Sequence, residues 1–327
     1  MKKTLAVLGG LGVILALLLA VLVYEPHQEY RETAKRFLCI ITPETKYYWG
    51  NVKAGIAQAD QDLGSYTRLD LFERFDTEKQ IRLLDESRYT QMDGIITLGE
   101  PYSQELNDKI QEIVASGVPV VLLDRDSPDS GRSCYIGSDN YAAGQMAAEL
   151  IARETGEKSR VAVFISGMED ANQRERLSGF QQVLEEKSDM EVLEVCENQL
   201  DKVGIWNDLD RIFQEYEEIN AIFSAEAFNS QQVGLWLENH AGLVEQDLTV
   251  IGFDDLDPTI ELIQEGVLAA TIIQDGYDMG YQAVRYLTEY DASEDAGEGK
   301  LITDVSCISK ENVEEYKKKT NTNEESE

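Results

Sequence analysis

The chain has 327 residues and 62 Asp or Glu against 29 Lys or Arg, a formal net charge of −33; that length suggests two domains or lobes, and a composition 43% hydrophobic and 28% charged is that of a folded chain. An anionic surface without a basic patch repels phosphate backbones, which argues against a nucleic-acid partner. Only His27 and His240 could serve as imidazole bases or metal ligands, and the sequence holds no HExxH, GxSxG or GxxxxGK[ST], so metal, nucleophile and phosphate-loop chemistry have little to stand on, and neither a cofactor nor an enzymatic activity is expected.

In chain order, Lys2 and Lys3 precede an uncharged apolar run from Leu5 to Val23. As a helix it would span roughly 28 Å, close to a bilayer's hydrocarbon core. Basic residues before the run and Glu25, Glu29 and Glu32 after it orient the N-terminus inside and the rest outside. With no A-x-A-like exit near Ala16 or Ala20 and no Cys at its end, residues 1–24 read as an uncleaved signal anchor or transmembrane helix in preference to a cleaved signal peptide, which would release the rest of the chain, and residues 25–36 as a juxtamembrane stalk. Cys39, Cys134, Cys196 and Cys307 lie in or beside strand-like runs such as "FLCII" and "SCYIG"; in an exported chain they allow three fully paired connectivities, among which sequence does not choose, with buried free thiols the favoured reading because a chain this long needs no staples to fold.

From Phe37 onward short apolar runs alternate with amphipathic segments of helical period, the pattern of parallel βαβ units. The runs predict strands over 37–42, 67–72, 94–98, 119–124, 160–165, 190–195, 221–225, 248–253, 268–274 and 301–308. That count exceeds one ordinary open sheet and suits two doubly wound lobes, with no internal repeat legible between them. In such sheets ligands bind beyond the carboxyl ends of the strands. Those positions hold Tyr47, Tyr48 and Trp49 after the first strand, Asp124-Arg125-Asp126 after the fourth, "GMEDANQRERLSGF" after the fifth, Asp254-Asp255 after the eighth and Gln274-Asp275 after the ninth. A sugar offers apolar faces and a rim of hydroxyls. Tyr48 and Trp49 supply rings to stack on it; Asp124, Asp254 and Gln274 accept or exchange hydroxyl bonds; Arg125 and Arg174 donate in forked pairs.

Eight motifs in order, among them "YYWGNVKAGIAQADQDLG", "MDGIITLGEP", "GVPVVLLDRD", "YIGSDNYAAGQMAAELI", "NQRERLSGF" and "TVIGFDDLDP", carry a resemblance over about residues 37–313. The sequence resembles the type I periplasmic binding proteins, the ribose- and galactose-binding group whose lobes also form the effector domain of lactose-repressor-type regulators. The resemblance implies an α/β fold of two Rossmann-like lobes joined by a three-crossover hinge that closes on its ligand. It divides the chain into an N-terminal lobe of 37–138 plus about 275–300, a C-terminal lobe of 139–267 plus about 301–317, and a polar tail, 318–327. By position it implies stacking by Tyr48 and Trp49, hydroxyl clamping by Asp124 and Arg125, and ligand contact from Arg174, Asp254 and Gln274, with Asn140 at the first crossover as a ligand contact or a structural hinge residue. Two positions depart from the sugar binders' pattern: Leu98-Gly99-Glu100 stands where Asn or Ser is common, and Glu226-Ala227 where Asn-Asp is usual. These acidic residues, Glu226 among the expected contacts, argue against ribose or plain glucose and leave room for an amino sugar, another cationic ligand or a loop that reaches a partner instead. The expected function is an extracytoplasmic solute-binding protein that presents a sugar-like molecule to the permease of an ABC importer. The alternative is a membrane-anchored receptor that signals occupancy to a sensor histidine kinase or chemoreceptor.

Overall fold

A computed structural model describes residues 34–324 apart from 42–45, 72–75, 157, 188, 241, 243–247 and 292–298. The apolar run 5–23 and nearly all of the expected stalk lie outside the described residues, among which no helix is long and apolar enough to cross a membrane.

Two six-stranded sheets organise the rest. The first holds β1 (Arg36–Ile41), β2 (Tyr66–Leu71), β3 (Gly94–Thr97), β4 (Val120–Leu123), β5 (Cys134–Ser138) and β11 (Gly299–Thr303) in the order β11-β5-β4-β3-β1-β2, all parallel. The second holds β6 (Ser159–Ile165), β7 (Met190–Glu197), β8 (Ala221–Ser224), β9 (Thr249–Phe253), β10 (Ala270–Gln274) and β12 (Val305–Ser309) in the order β12-β10-β9-β8-β6-β7, parallel except where β12 runs against β10. The strands are nearly continuous apolar runs because helices cover both faces of each sheet. In β1, Phe37, Cys39 and Ile41 enter one core and Leu38 and Ile40 another, the period of two that a strand imposes.

The helices are α1 (Lys46–Leu63), α2 (Thr77–Ser87), α3 (Gln104–Ala115), α4 (Asn140–Thr155), α5 (Ala171–Glu186), α6 (Lys202–Glu215), α7 (Ala227–Glu238), α8 (Asp257–Glu265), α9 (Gly276–Glu289) and α10 (Val313–Glu324). The chain passes between sheets three times, each time at an aspartate. Asp139 follows β5 and caps α4, which packs on the second sheet; Asp275 follows β10 and caps α9, which packs on the first. Each cap carboxylate accepts from a backbone N–H three residues on, Ala142 N at 2.8 Å and Asp278 N at 2.9 Å. The third passage is Asp304, alone between β11 and β12.

That passage corrects the sequence reading. The single strand expected over 301–308 is two strands in different sheets, so residues through Thr303, assigned above to the C-terminal lobe, complete the first sheet. The polar Asp304 inside the apolar run marks the break. β5, noted only as a strand-like run, is a full member between β4 and β11.

Each lobe is closed by one helix pair at backbone contact. Between α1 and α9, a Cβ on Gly55 would lie 2.0 Å from the Tyr277 carbonyl oxygen, and one on Gly280 would lie 2.1 Å from that of Val52. Between α4 and α5 the same reciprocity holds, with Gly144 against the Arg176 carbonyl at 1.9 Å and Gly179 against Tyr141 at 2.0 Å. All four cysteines are free, Cys39, Cys134 and Cys196 buried and Cys307 half-buried.

Candidate ligand-binding site

The carboxyl ends of both sheets face the space between the lobes, and the two lobes arrive there by the same construction. Asp124 follows β4 and Asp254 follows β9, the third strands of their respective sheet orders, and both have left-handed backbones, φ 65° and 60°. Their amides donate to the neighbouring strand at Ile136 O (2.8 Å) and Ile272 O (2.7 Å). Hydroxyls on that neighbour donate back to their carbonyls, Tyr135 Oη to Asp124 O at 3.0 Å and Thr271 Oγ1 to Asp254 O at 2.7 Å. Asp tolerates this conformation better than most residues, and such outliers concentrate where a side chain must be aimed.

The side chains are held as firmly as the backbone. Tyr48 Oη donates to Asp124 Oδ1 at 2.9 Å, and Gln274 Nε2 donates to Asp254 Oδ1 at 3.0 Å. Gln274 Oε1 in turn accepts from Ser138 Oγ at 2.9 Å, linking the first two passages between the lobes. Arg125 reaches Glu100 Oε2 at 2.6 Å and faces Asp170 Oδ1, from the opposite lobe, at 3.7 Å. A cavity of about 50 Å³ lies here, lined by Asp124, Arg125, Tyr135, Asn140, Asp170 and Glu175 among others.

Arg176, which the sequence reading does not single out, is the buried cation beside these carboxylates. It is 3% exposed, donates from Nε to Asn140 Oδ1 (2.8 Å) and from a terminal nitrogen to Ala225 O (2.7 Å), and stacks 3.5 Å above the Phe253 ring centroid. Burial pulls its pKa below the usual arginine value, opposed by the nearby carboxylates of Asp254, Asp124 and Glu226. Arg174, the arginine expected at this place, instead donates to the carbonyls of Met168 (2.6 Å) and Glu169 (2.7 Å) and meets Tyr102 Oη of the other lobe at 3.5 Å. The helix phase explains the exchange. Gln173, Arg176, Leu177, Phe180 and Val183 form the buried face of α5, and a residue two positions before Arg176 is turned about 200° from it. The apolar positions of "NQRERLSGF" that follow would have pointed to the second arginine.

The expected aromatic platform also takes another role. Tyr48 and Trp49, 6% and 5% exposed, belong to the first lobe's core and meet edge to face with centroids 5.0 Å apart. Their rings are covered by protein, and the Tyr48 hydroxyl is the part that reaches Asp124. Asn140 is buried, donating to Ser138 O at 3.3 Å while it orients Arg176. Glu226 caps α7 by accepting from Asn229 N at 3.0 Å.

Burial raises the carboxyl pKa values of Asp124 and Glu226 above the ordinary range, and that of Asp254 to about 7 against the opposing pull of Arg176 and Gln274. Three desolvated carboxylates around one guanidinium, with amides and hydroxyls between, suit a polar ligand rich in hydroxyls. Among the described residues no group of His, Cys, Asp and Glu is placed to hold a metal.

The profile of the periplasmic binding protein domain matches residues 38–294. A D-apiose import binding protein from Actinobacillus succinogenes is 26% identical, the match covering 86% of this chain and 90% of that one. Among solved structures, GanP, a glucose-galactose binding protein from Geobacillus stearothermophilus, is 30% identical with a TM-score of 0.74 over 85% of this chain and 98% of its own. A chain of the XylFII-LytSN complex is 29% identical with a TM-score of 0.70, over 85% and 98%.

Proposed function

The chain belongs to the periplasmic binding protein family, whose members bind solutes and are not enzymes, and we propose that it captures a sugar or sugar-like molecule between its lobes outside the cytoplasm and presents it to the permease of an ABC importer. The observation that carries this reading is the convergence of two like-built strand ends, Asp124-Arg125 and Asp254 with Gln274, on one interlobe space beside Arg176. Relatives named for D-apiose import and for glucose and galactose point to an aldose. An uncleaved segment 1–24 would keep the lobes at the membrane.

Titration calorimetry of the full-length chain with ribose, apiose, xylose, arabinose, glucose and galactose tests the reading. At least one is expected to bind with a Kd below about 100 μM, and Arg176→Met to weaken it at least a hundredfold, since the change removes a buried charge that faces Asp124, Asp254 and Glu226. No binding by any sugar would refute it. A similar chain was solved as part of a XylFII-LytSN complex, and a membrane-anchored receptor that reports occupancy is the second reading. Affinity capture from membranes separates the two: recovery of a permease supports transport, and recovery of a sensor kinase without one supports signalling.

A further inference from the structure

Arginines in ligand sites commonly grip carboxylates or phosphates through paired N–H donors. In this cleft part of that capacity is already engaged, through one terminal nitrogen of Arg125. Arg125 holds Glu100 at 2.6 Å with both side chains largely buried, 28% and 19% exposed, and Asp170 closes from the other lobe at 3.7 Å. Glu100 is not a wandering surface group, because its loop is fixed on the arginine's own backbone: Gly99 N donates to Arg125 O at 2.9 Å, and a Cβ at Gly99 would lie 2.6 Å from that oxygen. Asp124, Asp126, Asp170 and Glu175 add further carboxylates to the cavity wall, where the cations are Arg125 and Lys300. Asp126 is held by Arg132 and lies 3.5 Å from Lys300.

We propose that Glu100 is a specificity-determining residue that excludes anionic sugars, uronates and sugar phosphates, from the cleft by occupying Arg125 with a fixed carboxylate. This rests on the sugar-binding reading above and narrows its substrate class. A ligand carboxylate would have to displace Glu100, leaving that charge unpaired in a confined space, or sit beside it; either is costly at contact distance, where salt screens little. A neutral hydroxyl meets no such conflict, since it donates to Glu100 and accepts from Arg125 and so uses the pair intact.

The test is the ratio of affinities within matched pairs, galactose against galacturonate, glucose against glucuronate and ribose against ribose 5-phosphate, by calorimetry on the full-length chain. For the pair whose neutral member binds, the wild type is expected to disfavour the anion at least a hundredfold. Glu100→Gln should reduce that ratio at least tenfold, Glu100→Asp should retain it, and Asp170→Asn, which removes the second carboxylate facing Arg125, should reduce it by a smaller factor. A structural defect alone would weaken both members of a pair and leave the ratio unmoved. A wild-type ratio near one, or a ratio unchanged in both Glu100→Gln and Asp170→Asn, overturns the proposal while sugar binding stands. Binding of an anion but of no neutral sugar also overturns it, and binding of neither class overturns the sugar-binding reading with it.

Discussion

Asp254 shows how a fold can hold a single residue where its charge disfavours the folded state. Burial holds its carboxyl up to about 7, whereas an unfolded chain releases that proton near 4, so between these values the native state binds more protons than the unfolded one and this group's contribution to stability falls as pH rises. Asp124 and Glu226 are shifted in the same direction by the same cause. Asp254→Asn keeps an oxygen for Gln274 and a residue type that accepts φ near 60°, yet carries no charge. Its melting temperature at pH 8 is therefore expected to exceed the wild type's by a few degrees, with the gap shrinking toward pH 5, as read by scanning calorimetry without ligand. An unchanged gap across that range would contradict the assignment. Asp254, Asp124, Arg125 and Gln274 were legible as strand-end residues, because each ends an apolar run. Arg176 was not, because it belongs to a helix interior, where only the phase of the helix says which of two arginines turns inward.

At the level of elements, the strands were readable to within a few residues wherever both faces of a sheet are buried, since double-sided burial writes an uninterrupted apolar run. What the runs do not carry is partnership. Gly55 meets the backbone of Tyr277 across 222 positions of sequence, and Gly280 that of Val52 across 228, and nothing local marks either partner. Seen together, the glycine pairs of α1–α9 and α4–α5 and the matching strand orders make the lobes near copies, a relation invisible in the residues themselves. A methyl group at Gly280 must push apart two helices whose backbones already touch, so Gly280→Ala is expected to cost about 2 kcal/mol, and Gly144→Ala about the same in the other lobe. Urea unfolding midpoints measure this, and wild-type midpoints in both variants would show the helix pairs to be more compliant than their spacing implies.

For the whole molecule, the three passages at Asp139, Asp275 and Asp304 mean that neither lobe is a continuous stretch of chain. The first sheet needs β11, and its core needs α9, both more than 130 residues beyond β5. Residues 36–138 expressed alone are thus expected to show the circular dichroism and hydrogen exchange of a largely unfolded chain; a cooperative thermal transition in that fragment would contradict this. The free thiols carry a practical consequence. Burial pushes Cys134 up to about 11 and Cys196 up to about 12, with Cys39 and Cys307 also raised, so at neutral pH almost none of the native sulfur is thiolate. A cysteine introduced on the surface of each lobe would then react with maleimide dyes far ahead of the four natural ones, and the opening and closing of the cleft becomes measurable by energy transfer without first stripping the chain of its own sulfur.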